Sequence, residues 1–390
     1  MPRHTGYANL PLHPGKAPAW LFGRMTRLAR EITSHIVADQ GPEEMLRRLA
    51  DPFWFQAFGC VLGFDWHSSG VTTTVTGAVK EGVKGLEHEL GFYAQGGKGM
   101  TSRKTPGEIL ARCDELSIDA APLVYASRMA AKVDSAAVQD GYQLYHHTFF
   151  FTRAGHWSVV QQGMSDESAT ARRYHWLSES LQSFVNEPHQ AICSDRCAVT
   201  LNLVSEEHEP VRAASVELAA GSPDRVMDVV RRYVHGGPRR SSGRGGASAL
   251  SLPFEEAPTL DMPKRHALML QDVDPRHLHT VLLSTYARAP ENFETLLGLE
   301  GVGARTLRAL ALVSEVIWGR PASTRDPARF AFAHGGKDGT PFPVDRATYD
   351  RTIDALHRAM AKAHVDRSDK VDALKRLGRF AKATEPRNVT

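Results

Sequence analysis

The sequence predicts an α/β or α+β body followed by a small all-α domain. Three observations carry this: helical apolar patterns interleaved with β-branched and aromatic runs up to about residue 235, a basic glycine-rich break after it, and almost continuous helical patterning beyond. The 390 residues divide at roughly 150 per domain into two domains or a little more. The expected boundaries are 1–235 for the body, 236–262 for a flexible linker and 263–390 for the helical domain.

Trp20, Leu21, Met25, Leu28, Ile32 and Ile36 recur at helical spacing, which places a helix over residues 17–38. Gly41-Pro42-Glu43-Glu44 opens a second, because proline suits the first turn and the two acids favour the positive end of the helix dipole. The apolar run Phe53 to Phe64 fits helix or strand. The β-branched residues of 71–75 predict a strand, and 75–90 a helix. Gly96 to Gly99 predicts a loop. Thr105, with Glu108 three residues on, predicts a capping box at a helix start. A helix is expected over 122–139, then strands over 142–152 and 157–162 joined by a hairpin at 153–156. Residues 169–184 read as helix, 199–204 as strand and 223–234 as helix. Asp274-Pro275 starts the first of several helices that continue to about Phe380.

Hydrophobic residues make up 42% and charged residues 23%, which excludes a mostly disordered chain. No stretch approaches the roughly 20 apolar residues that span a bilayer, so no membrane partner is expected. Met1-Pro2-Arg3-His4 has no apolar signal core behind it, and four cysteines are too few for a disulfide scaffold. The expected compartment is therefore the cytoplasm. A net charge of +3 is too small by itself to imply nucleic acid, so the distribution of charge matters more.

The strongest local pattern is FETLLGLEGVGARTLRALALVSEVIW (293–318). A short apolar helix meets Gly301-Val302-Gly303, and a second helix with a Leu307, Leu310, Val313 and Ile317 stripe follows at once. This resembles the helix-hairpin-helix motif of DNA repair and recombination proteins. Two glycines let the backbone turn tightly and approach a phosphate. The helix that follows aims free N–H groups and its positive end at that phosphate. Arg305 and Thr306 add a charge and a hydroxyl. Such contacts hold duplex or branched DNA without reading its sequence. A plain helical hairpin is the alternative. Residues 361–390 carry eight Lys/Arg against four acids, and the linker adds Arg239, Arg240 and Arg244.

Candidate chemistry lies in the larger domain. If Val61 to Phe64 is a strand, Asp65 sits at its end, where RNase H-like nucleases place a metal-binding aspartate. Carboxylate oxygens suit Mg²⁺ or Mn²⁺, and a nearby His67 suits Mn²⁺. Lys132, Asp134, Asp140 and His146 form a second polar cluster with Gln143, His147, Gln161 and Gln162. Adjacent histidines on a strand face opposite ways, so only one of His146 and His147 enters a given site. In the nuclease reading Asp65, Asp134 and Asp140 hold the metal, His67 and His146 act as acid, base or ligand, and Lys132 steadies the phosphate. Ordinary turn chemistry and satisfied core histidines are the alternative for each residue. Lys98, Arg103 and Lys104 in a glycine-rich segment suit a backbone phosphate, without the Walker spacing. His189, Cys193 and Cys197, with three residues between each as on one helix face, lack an evident fourth zinc ligand.

The strings LPLHPGKAPAWLFGRM (10–25), DPFWFQAFGCVLGFDWHSSGVTT (51–73), GGKGMTSRKTP (96–106), DGYQLYHHTFFF (140–151) and FAFAHGGKDGTPFPVDR (330–346) together resemble the domain-of-unknown-function family 763. The resemblance covers nearly the whole chain and implies a prokaryotic protein, but it assigns no catalytic residue.

The favoured expectation is thus a DNA-binding protein of repair or recombination, working with repair partner proteins, in the form of a metal-dependent nuclease. One alternative is a glycosylase-like enzyme using Asp326, which lies 23 positions beyond Gly303. Another is a non-catalytic DNA-binding adaptor.

Overall fold

The structure is a computed structural model and describes residues 18–64, 69–194, 199–235, 275–320, 322, 324–328 and 346–384. The chain forms two compact units. The first is built from residues 1–134, 142–197 and 327–390, the second from 135–141 and 198–326. In chain order the strands are β1 (Phe92–Lys98), β2 (Val138–Gln139), β3 (Gln143–Thr152), β4 (Trp157–Ser165), β5 (Thr170–Leu177), β6 (Ala191–Cys193) and β7 (Leu201–Asn202).

The first unit opens with α1 (Ala19–Gln40), α2 (Pro42–Ala50) and α3 (Pro52–Leu62). Pro42 and the two acids start α2 as expected. The ambiguous apolar run resolves to helix α3, because Asp51 caps it. Its carboxylate accepts from the N–H of Phe53 at 2.8 Å and of Trp54 at 3.2 Å, while Pro52 fills the first position. The strand expected over Val61 to Phe64 is therefore the end of α3, closed by Gly63 in the left-handed region at φ 110°.

Residues 71–75 also correct the sequence reading: they belong to helix α4 (Gly70–Val83). Tertiary contact overrides β-propensity here. A Cβ on Gly59 of α3 would lie 2.5 Å from Val71 Cγ2, so the glycine lets the two helices touch. The buried Thr76 hydroxyl is absorbed by donating back to the Thr72 carbonyl at 2.8 Å.

After a short helix α5 (Glu87–Leu90), the glycine segment expected as a loop is the end of β1. Helix α6 starts earlier than expected and spans Met100–Leu116. Thr105 is not its cap. Pro106 has no N–H to offer the Ser102 carbonyl, and the Thr105 hydroxyl donates to that carbonyl instead, at 2.8 Å. Glu108 accepts from Lys80 Nζ and from the Gly96 N–H, both at 2.8 Å. Helix α7 (Ala121–Lys132) runs into a π-helical turn, Val133–Ala137.

Five strands form an antiparallel sheet in the order β1-β3-β4-β5-β6. Residues 170–177, expected as helix, are the β5 strand, and all eight are buried. A strand covered on both faces loses the alternation that marks it in sequence. One face, with Phe92, Ala94, Phe150 and Val160, joins α1 to α4 in a single core. The last helices, α13 (Arg346–Lys362) and α14 (Arg367–Thr384), belong to this core through Leu356, Met360, Leu377 and Phe380. Residues 263–390 are thus shared between the two compact units. The expected linker, 236–262, lies outside the described residues.

The second unit pairs β2 with β7 and adds α8 (Glu209–Ala220), α9 (Pro223–His235), α10 (Pro275–Arg288), α11 (Phe293–Gly298) and α12 (Ala304–Trp318). Val211, Leu218, Val230, Leu282, Leu297 and Leu310 are buried within it. No described helix is long and apolar enough to cross a membrane.

Candidate functional site

The polar centre of the first unit forms around Asp134, in the π-helical turn. His147 and Gln161 are cross-strand partners on β3 and β4 and so share a face. Gln161 Nε2 donates to Asp134 Oδ2 at 2.6 Å, and Trp176 Nε1 donates to the same oxygen at 3.0 Å. His189 Nε2 lies 2.5 Å from Asp134 Oδ1. With its amide committed to Asp134, Gln161 presents Oε1 to His147 Nδ1 at 2.7 Å, so Nδ1 carries the proton. His147 Nε2 is then an acceptor for the Ser127 hydroxyl at 2.9 Å. The result is a directed chain, Ser127–His147–Gln161–Asp134, closed by His189. Burial pushes the His147 pKa below its ordinary value, which keeps the ring neutral.

His146, the histidine singled out from sequence, faces the other way. Its Nε2 lies 3.0 Å from both Thr76 Oγ1 and Thr148 Oγ1. Thr76 already donates to Thr72, so it accepts from His146, and Nε2 holds the ring proton. Burial pushes the His146 pKa down to about 3. Beside it Gln162 binds the Thr72 and Tyr145 hydroxyls and the Ser69 carbonyl. His146 and Asp134 are thus on opposite faces of the sheet.

Asp65 and His67 lie outside the described residues. Asp140 is buried and belongs to the second unit. Lys132 is half-buried, and desolvation lowers its pKa. Both Asp134 oxygens are already engaged by donors, a poor fit to a hard cation. Among the described residues no group of three His, Cys, Asp or Glu could hold a metal. Cys193 lies on a strand, not a helix face, and Cys197 is outside the described residues. Lys98, Arg103 and Lys104 are exposed around the start of α6.

Gly301-Val302-Gly303 leads from α11 into α12. Gly301 has φ 85°, a conformation that favours glycine, and Val302 is buried as its apolar anchor. Gly303 caps α12 with no side-chain hydrogen bond, and α12 has no acid in its first turn. Arg305 is exposed, but Thr306 is buried, so the threonine does not present the expected surface hydroxyl. Asp326 lies in a non-helical stretch beyond α12 and is half-buried.

Sequence reasoning missed Ser127, Trp176 and the pairing of His189 with Asp134. Nothing in the sequence around Ser127, Trp176 or His189 points to a carboxylate on a distant turn. Only the adjacent glutamines, Gln161 and Gln162, signalled polar business on both faces of one strand.

Fold and site define a two-unit α/β protein with an antiparallel sheet, a buried polar chain through it, and an uncapped glycine-bounded helical turn. The family described as "Protein of unknown function (DUF763)" matches residues 6–344, and the chain belongs to it. Neither the comparison with curated proteins nor that with solved structures gives a match.

Proposed function

We propose that this chain binds DNA by its backbone, in repair or recombination, with the α11–α12 turn acting as a helix-hairpin-helix. One observation carries the reading. Gly303 has φ −133°, open to any residue, and a Cβ there would meet nothing within 4 Å. Neither conformation nor packing demands glycine. Ser, Asp or Asn at this cap would stabilise α12 by about a few tenths of a kcal/mol over glycine and satisfy a free N–H, yet the helix end is left without a side-chain cap. A bare N-terminus beside exposed Arg305 suits a close-approaching phosphate.

Gly303→Asp therefore separates stability from binding. The new carboxylate caps α12 and raises stability by about a few tenths of a kcal/mol, with a similar contribution from its charge at the positive end of the helix. It also occupies and repels the phosphate position, so affinity for duplex DNA falls at least about tenfold. Unchanged affinity in this variant, measured by fluorescence anisotropy, would overturn the reading. A metal-dependent nuclease step with Mg²⁺ or Mn²⁺ would have to draw on Asp65 and His67, since Asp134 is committed to its three donors. Strand cleavage of labelled DNA with each metal, compared with EDTA, tests that step.

A further inference from the structure

Arg308 of α12 is fully buried, yet its guanidinium has one hydrogen bond, from Nη1 to Gln139 Oε1 at 3.3 Å. Its Nε and Nη2 have no partner. Among the described residues of this unit, the other buried arginine is treated differently. Arg212 pairs with Glu209 at 2.7 Å and donates to the carbonyls of Leu203 and Ser205. Among the described residues no carboxylate pairs with Arg308, and burial lowers its pKa, to about 10. An uncompensated buried cation is costly, and native structures tolerate it where something else supplies the opposite charge.

The geometry says where that charge would sit. Side chains on a helix lean toward its N-terminus. Gln139, which takes Arg308 Nη1, reaches the Ala304 carbonyl with its own Nε2 at 2.8 Å. The guanidinium thus ends level with the first residue of α12, directly beneath the uncapped turn. The exposed residues of the turn carry one formal charge of each sign, Glu300 and Arg305, and Arg308 adds a positive charge beneath them.

We propose that Arg308 is the buried counter-charge of an anion site at the N-terminus of α12, and that the anion is a nucleic-acid phosphodiester. This rests on the DNA-backbone reading of the turn and adds a residue that never reaches the surface. The charge acts from beneath, through the first turn, while the α12 N–H groups make the contacts.

The test compares the wild-type chain with Arg308→Met, Arg308→Lys and Arg305→Ala. Affinity for a labelled 20-base-pair duplex is measured over a salt series, and thermal unfolding is followed with inorganic phosphate. Arg308→Met should unfold at the same or a higher temperature without ligand, because an apolar isostere removes an uncompensated charge. It should bind DNA about tenfold more weakly, whereas Arg308→Lys, which keeps the charge, should stay within about threefold of wild type. Phosphate should raise the wild-type Tm and leave that of Arg308→Met unmoved. If Arg308→Met binds as wild type while Arg305→Ala weakens, the inference falls and the DNA reading stands. If the wild-type chain does not bind duplex at all, the reading and the ligand named here fall together. Should Arg308→Met lose its near-UV dichroism, the wild-type phosphate titration decides, and a flat Tm overturns the proposal.

Discussion

Asp134 and His189, 55 residues apart, meet at 2.5 Å between Oδ1 and Nε2, with side-chain exposures of 0% and 6%. The contact ties the π-helical turn after α7 to the irregular segment before β6, across the face that carries β3 to β5. With Gln161 and Trp176 on Oδ2, the carboxylate serves three donors from three parts of the chain. An acceptor-only group is what those donors require.

Asp134→Asn should therefore be severe. The amide turns an N–H₂ group toward donors and leaves at least one of them unsatisfied in the core. A loss of about 3 kcal/mol is expected, read as a lower midpoint in urea unfolding with an unchanged m-value. A midpoint within error of wild type would mean the donors are satisfied some other way.

Acid should unfold the protein through its buried histidines. His146, His147 and His175 all have pKa values held below 6.5 by burial, His146 at about 3. Above pH 6.5 they are neutral in both folded and unfolded chains and contribute no pH dependence. Below it the unfolded chain takes up protons that the folded one refuses, so stability falls as pH drops from 6.5 toward 3. Each histidine contributes a slope of about 1.4 kcal/mol per pH unit inside its window. Unfolding free energies at pH 7, 6 and 5 check this, and His146→Gln should flatten the curve by about one histidine's share.

Two glycines flanking Lys98 should respond very differently to alanine. At Gly96 φ is 91°, and a Cβ would lie 2.3 Å from the His147 carbonyl oxygen and 2.5 Å from Thr105 Oγ1. Gly99 has φ 62° with open space around it. Gly99→Ala should cost about 1 to 3 kcal/mol from backbone strain alone, because φ 62° with ψ −126° lies outside the regions open to L side chains. Gly96→Ala must also part β1 from its neighbours, and a loss above about 3 kcal/mol is expected. Equal losses in thermal unfolding would show that β1 yields at Gly96.

How far the sequence carried these conclusions depended on whether local chemistry or tertiary contact decided each element. Caps and turns were legible: Pro42 with its two acids, the hairpin at 153–156 and the Gly301–Gly303 turn depend on neighbours in the chain. Val71 to Val75 and Thr170 to Leu177 were not: consecutive threonines between valines read as a β-branched strand although the segment packs as helix, and buried Arg172, Arg173 and His175 leave β5 without an alternation of polar and apolar positions. In the polar centre Asp134 and Gln161 were recognisable as polar residues in apolar surroundings. Their link to His147, not to His146, follows from which way β3 faces, and one strand position reverses it. Thr105 followed by Glu108 matched a cap, but Pro106 gave the threonine hydroxyl a different carbonyl to serve.

The least legible feature was the place of the last two helices, and it makes the sharpest prediction. Phe380 packs its ring against Phe53 at a centroid distance of 5.3 Å, and Leu377 is buried in the same core. Arg376 donates from Nε to the Cys60 carbonyl at 3.1 Å and from Nη2 to the Val61 carbonyl at 2.8 Å. Those carbonyls lie in the last turn of α3, where Cys60 also accepts from the Gly63 N–H at 3.0 Å, so α14 adds donors to the end of an element that precedes it by more than 300 residues. Leu377→Ala should then cost about 2 to 5 kcal/mol and raise amide hydrogen exchange in α1 and α3. Arg376→Ala should speed exchange chiefly in the last turn of α3, at about 1 to 2 kcal/mol. If both variants change exchange in α13 and α14 alone, the C-terminal helices form a domain of their own and their packing on α3 contributes nothing to the stability of the body.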